Sequence, residues 1–167
     1  MAMADHVDRV LAQWHAERPD LDVSPMAVIG RLSRLSALVD AELRRTFARH
    51  GLDRATFDVL ATLRRSGPPY RLTPTELMRS AMVTSGAITQ RLDKMEARGL
   101  VERTPDEADG RGVRVRLTEA GGEVIDRALP EHVETEHRIL AALDTGERAE
   151  LAATLRTLLE SLGGSVA

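Results

Sequence analysis

The chain has 167 residues, 43% of them hydrophobic and 29% charged, with no cysteine and a formal net charge of −3. That size and apolar content suit a globular chain with a real core and argue against disorder, while the lack of thiols excludes disulfides, thiolate metal sites and cysteine-based redox sensing. Residues 25–118 carry 17 basic and 11 acidic side chains and the remainder 6 and 15, so a weakly acidic whole contains a basic centre that suits a polyanionic partner, although scattered solvated charges would give the same tally.

No stretch reaches the roughly 18 to 20 unbroken apolar residues of a membrane span, and Met1 to His6 lacks the order of a signal peptide, so the expectation is a cytoplasmic protein without membrane contact. Apolar residues recur at helical spacing over most of the length. The expected class is mainly α with a small β-hairpin.

From the N-terminus, Val7, Val10, Leu11 and Trp14 stand at i, i+3, i+4 and i+7, which predicts a short amphipathic helix over 5–18, closed by Pro19. Ser24 as cap and Pro25 at the first helical position open a longer helix with Ile29, Leu32, Leu35, Leu38, Val39 and Leu43 on its apolar side, stopping at Gly51. A third helix, 53–66, presents Phe57, Leu60, Ala61 and Leu63 before Gly67-Pro68-Pro69 breaks it. After the central segment, Thr118 caps a helix through Ile125, Leu129, Val133 and Ile139 toward Leu143, which Pro130 should kink or end. A last helix starts near Thr145 with Leu151, Leu155, Leu158, Leu159 and Leu162. The helices at both ends carry more apolar stripe than one small core can cover, which points to a second copy of the chain.

The central segment is the most specific. Thr73-Pro74-Thr75-Glu76 is a capping box with proline at the first helical position, opening a helix of barely two turns that ends near Ala81. Thr84 or Ser85 then caps a second helix that runs to Arg98 and stops at Gly99. Two short helices so close together make a helix-turn-helix candidate. At about 100° per residue, Ile88, Leu92 and Met95 fall in one arc and form the packed side, with Gly86, Thr89 and Gln90 beside or opposite it. Small and amide-bearing residues at the start of an exposed helix suit reading of the major groove.

Residues 100–104 read as a strand, 105–112 as a turn-rich loop and 113–117 as an alternating strand, a β-hairpin directly after the recognition helix and hence a wing. Arg111, between Gly110 and Gly112, can reach a minor groove or phosphates, with Asp109 placed to orient it. Arg114 and Arg116 share a face of the second strand. The expected DNA contacts are therefore Ser85, Gly86, Thr89, Gln90, Arg111 and Arg114.

The strings Leu72-Thr73-Pro74-Thr75-Glu76-Leu77, Thr84 to Thr89, Arg91-Leu92-Asp93, Gly99 to Arg103 and Asp109-Gly110-Arg111 through Val115 to Thr118 resemble the MarR family of bacterial regulators. The resemblance implies a homodimer held by N- and C-terminal helices, recognition helices in successive major grooves, wings in the flanking minor grooves, a palindromic operator and repression relieved by a small ligand. It also implies three regions: 1–52 with an extra N-terminal helix and a dimerisation helix, 53–118 as the winged helix-turn-helix, and 119–167 as C-terminal dimerisation helices. Trp14, Asp58, Arg91 and Arg103 further resemble the ligand-binding set of the family's urate-responsive branch.

The residues support that set independently. Arg91, three after Ile88 and four before Met95, projects from the packed side of its helix, where a charge needs a partner or an anion. Asp58 pairing with Arg103, and an anion held by Arg91 and Trp14, would couple a pocket to the recognition helix. An interior salt-bridge network without any ligand explains the same residues, and Trp14 would serve equally as an interface anchor. Urate or a related purine fits best, but a cage of arginine and tryptophan also accepts tricarboxylates or phenolic carboxylates. His132 and His137, five apart, do not share one helical face and make no metal site. No acid, base and nucleophile assemble into an enzyme, and no cofactor is expected. A winged-helix module that binds DNA or protein without sensing anything is the alternative.

Overall fold

The computed structural model describes residues 4–81, 88–106 and 112–164, which form seven α-helices and one small antiparallel sheet. They divide into two compact units, residues 1–42 and 43–167. Among the described residues no helix is long and apolar enough to cross a membrane.

In the first unit, α1 (His6–Glu17) starts on a reciprocal cap: Asp5 accepts from the N–H groups of Val7 and Asp8, and the Asp8 carboxylate accepts from the Asp5 N–H. Helix α2 (Ser24–Arg49) supplies Arg31, which donates to Asp5 at 2.9 Å and to Asp8 at 2.6 Å, fastening α2 to the acidic cap of α1. The buried Val7 packs against Gly30 of α2. Ser24, expected as the cap, is itself the first helical residue, and its N–H donates to Asp22. Ile29, Leu35 and Leu38 point outward.

The second unit begins within α2, where Leu43, Thr46 and Phe47 are buried. Gly51, at φ +66°, makes the turn that only glycine takes without strain. Asp53 then caps α3 (Arg54–Arg65), which buries Thr56 to Leu60, Thr62 and Leu63. The predicted capping box holds: Thr73 accepts from the Glu76 N–H, and the Glu76 carboxylate accepts from the Thr73 N–H at the start of α4 (Pro74–Ser80). Described from Ile88 on, α5 (Ile88–Ala97) ends at Gly99, φ +67°.

The sheet has the order β1 (Arg71–Leu72), β3 (Val113–Leu117), β2 (Val101–Pro105), with Arg71 opposite Arg116 and Val101 opposite Leu117. Strand β1 lacks a sequence signal because two residues carry no periodicity; pairing with β3 makes them a strand. Helix α6 (Glu119–Ile139) is capped by Thr118 and runs through Pro130 without ending there. Pro130 is exposed, so the carbonyl one turn earlier that loses its donor need not be buried. The helix stops at Ile139, short of the expected Leu143, and Asp144 caps α7 (Thr145–Ser161).

Leu60, Leu63, Leu77, Leu92, Met95, Val115 and Ile125 are at most 2% exposed and form one core joining α3, α4, α5, the sheet and α6. His132 of α6 stacks on Phe47 and meets Phe57 at a tilt of 48°, with ring centres 5.5 and 4.7 Å away. Buried Thr46 and Thr135 share a hydrogen bond of 2.8 Å. At Gly121 a Cβ would collide with the Leu100 carbonyl oxygen, so the first turn of α6 can sit against the start of β2 only with glycine there.

Candidate nucleic-acid interface

Helix α5 is seated as its spacing predicts. Leu92 and Met95 are 2% and 1% exposed, whereas Thr89 and Gln90 face outward. Ser85, Gly86, Asp109 and Arg111, also expected at the interface, lie outside the described residues. The outward side of α5 is thus polar and open, and the inward side is held by arginines.

Three arginines do the holding. Arg103, at the start of the wing on β2, donates to Asp93 at 2.6 Å and to Glu96 at 2.6 Å, and its own N–H donates to Glu96. The hydrogen bond it donates to Asp93, joined by the one it donates to Glu96, holds this guanidinium above its ordinary pKa despite partial burial. Wing and recognition helix are therefore clamped as one piece. Arg98 donates to the Gly51 carbonyl at 2.8 Å, and Arg91 donates to Asp53 at 3.2 Å. Both fasten α5 to the corner between α2 and α3.

Where the sequence suggested Asp58 as its partner, Arg103 gives ion pairs to Asp93 and Glu96 on the helix directly before β2. Asp58, 8% exposed on α3, faces a cavity of about 450 Å³ between α3 and α6, alongside Arg64, Arg65, Asp126 and His132. Arg91 lines a different one, of about 210 Å³, with Asp53, Thr56, Gln90, Lys94, Met95 and Arg98. Trp14 is 41% exposed on α1 in the first unit. Of the four residues resembling a ligand set, Arg91 and Arg103 are brought to the same helix and Asp58 to another cavity.

Arg114, expected to touch DNA, is three-quarters covered; it donates to Asp106 at 3.0 Å and lies 3.8 Å from Glu76. The Asp106 hydrogen bond raises its pKa. Glu76 is also the reciprocal cap of α4, so Arg114 ties the loop end of the hairpin to the first helix of the helix-turn-helix. Arg116 pairs with Glu102 across the hairpin at 2.5 Å. Asp53, Lys94 and Arg98 were not singled out from sequence. The spacing of Arg91, Lys94 and Arg98 at i, i+3 and i+7 was a legible signal for the cations, but nothing local announces Asp53 as their neighbour.

This arrangement, two short helices followed by a clamped β-hairpin, matches known DNA-binding proteins. The model of the MarR family matches residues 50–112. The HTH-type transcriptional regulator PecS of Dickeya dadantii is 43% identical over 155 residues, covering 93% of each chain. Among solved structures, a MarR family transcriptional regulator from Streptomyces coelicolor in complex with DNA superposes at a TM-score of 0.76, with 26% identity over 85% of this chain and 89% of that one. A mutant MarR from E. coli complexed with operator DNA gives 0.70, with 27% identity over 82% and 95%. The clamped winged helix and these likenesses together show that the chain belongs to the MarR family and is a transcriptional regulator.

Proposed function

We propose that the chain is a homodimeric repressor that holds a palindromic operator through two winged helices and releases it when a small anion, urate or a related purine, binds behind the recognition helix. The observation that carries this reading is that α5 is held from behind by ionic ties, Arg91 to Asp53 and Arg103 to Asp93 and Glu96. An added anion competes with those carboxylates for the same guanidinium groups, so its binding and the pose of α5 are coupled. Ser85, Gly86, Thr89, Gln90 and Arg111 are assigned to the operator, and Arg114, at the loop end of the hairpin, to a phosphate contact. Arg91 and Arg103 are assigned to the effector response, and Trp14 and Asp58 join them on the resemblance alone.

The homodimer is supported by apolar side chains left outward on separate helices, among them Leu38 of α2 at 65% and Leu159 of α7 at 60% exposure. A second reading, in which the arginine ties are a fixed network and no effector exists, is favoured by the completeness of the Arg103 clamp.

A mobility-shift titration on the DNA upstream of its own gene separates the two. The operator should bind roughly 10³ to 10⁷ times more tightly than bulk DNA, with steep salt dependence. Urate, xanthine, citrate, aconitate and salicylate are then added in turn. Arg91→Ala should keep the operator and lose the release; release that persists unchanged refutes the effector half.

A further inference from the structure

Resting on the effector reading above, we infer that the effector's seat is the cleft between the start of α3 and α5, where a metabolite-sized planar anion is held by Arg91, Lys94 and Arg98 and displaces Asp53. The three cations lie at i, i+3 and i+7, one side of α5 over two turns. Asp53 and Thr56 form the opposite wall, and the cleft encloses about 210 Å³. That is below the roughly 300 Å³ at which drug-sized pockets begin, which fits a small metabolite. Two guanidinium forks favour a planar anion with paired acceptors.

The balance of charge is what makes the cleft a site. Three cations face one carboxylate, and among the described residues Lys94 has no ion-pair partner. Arg98 spends one N–H group on the Gly51 carbonyl and keeps the others. Among the described residues the Arg91–Asp53 contact is the longest of the ion pairs that hold α5: 3.2 Å, against 2.6 Å from Arg103 to each of its two carboxylates and about 2.7–2.9 Å for a good charge-assisted bond.

Asp53 is committed first to its own helix, accepting the Thr56 N–H at 2.6 Å. Burial pushes its carboxyl up, but the Thr56 hydrogen bonds and the Arg91 charge outweigh it and keep the group ionised below its ordinary range. Asp53 can therefore release Arg91 without losing its cap. It acts as a resident anion in the cleft, and its replacement by a free anion unfastens α5 from the α2–α3 corner.

Calorimetric titration of the full chain with urate, and in parallel with citrate, tests this on three proteins: unaltered, Asp53→Asn and Lys94→Gln. Asparagine caps a helix about as well as aspartate, so the first change removes only the charge. Asp53→Asn should bind the anion about tenfold more tightly and Lys94→Gln about tenfold more weakly, the scale of one hydrogen bond to a charged group. Unchanged affinities in both variants, or no binding of either anion to the unaltered chain, overturn the assignment. So does a Lys94→Gln protein that loses operator affinity without effector and lowers the salt slope by about one, which makes Lys94 a phosphate contact. Operator release measured alongside keeps the two claims apart. Binding with these shifts but without release leaves the cleft standing and retires the effector reading; release indifferent to both substitutions does the reverse.

Discussion

Helix α3 buries seven of its twelve residues, whereas α7, with seventeen, buries none and carries Leu158 and Leu159 outward, with Leu162 exposed at its cap. Both are capped by an aspartate, and both contain leucines at helical spacing. The difference is what the rest of the chain offers them. Around α3, helices α4, α5 and α6 and the sheet close a complete core, so its stability is written within one chain. Among the described residues nothing gives Leu158, Leu159 and Leu162 such cover, and under the reading proposed above a second copy supplies it.

Substitutions in the two regions should therefore fail differently. The largest effect is expected at Leu60, fully buried on α3: Leu60→Ala should cost about 2–5 kcal/mol in chemical denaturation, and a loss under about 1 kcal/mol would mean that this core is not the stabilising one. Next is Gly121→Ala, which drives a methyl group into the Leu100 carbonyl and should cost about 1–3 kcal/mol, the range for overpacking. A melting temperature equal to that of the unaltered chain would show that the joint between β2 and α6 gives way freely. Leu159→Glu should cost the chain itself less than about 0.5 kcal/mol, yet light scattering should fall from twice the 18.3 kDa chain mass to once. A variant that stays at the doubled mass would erase the contrast between α3 and α7.

The smallest effect is on pH. The carboxyls of Asp53 and Glu76 both sit below their ordinary range, the first because Thr56 and Arg91 outweigh the opposing effect of burial, the second chiefly through the Thr73 N–H. A carboxylate with a lowered folded pKa stabilises the fold above its unfolded value, about 4, and loses that contribution as pH falls through the lowered one. Melting temperature should be level from pH 7 to about 5 and decline below about 4. The decline should be shallower in the double variant Asp53→Asn, Glu76→Gln. Both groups are largely exposed, so the change is modest.

The elements on which these experiments act are legible in the amino-acid sequence to unequal degrees. The capping box at Thr73, the packed arc of Leu92 and Met95, the hairpin after Gly99 and the starts of α3, α6 and α7 are local events. Each depends on residues within one or two turns, and caps, periodicity and turn glycines report such interactions directly. For that reason the helix-turn-helix and wing are readable from the chain alone. Of the two outcomes Pro130 allows by sequence, a kink or an end, the helix does not end there; a proline's cost depends on whether the freed carbonyl is buried, which the local string does not state.

The site divides along the same line. Sequence alone determined that Arg91 turns inward and that Thr89 and Gln90 turn outward, because helical geometry sets direction for every residue on α5 at once. Which carboxylate meets which arginine was decided only by the tertiary structure. Asp53 and Arg91 are 38 positions apart, and their meeting depends on where α3 docks against α5. Asp58, the aspartate the sequence singled out, faces the cavity toward α6 by its place on α3, five residues and more than one helical turn beyond Asp53. Ion pairs are long-range in sequence and short-range in space, so they become visible only when the core has fixed the helices that carry them.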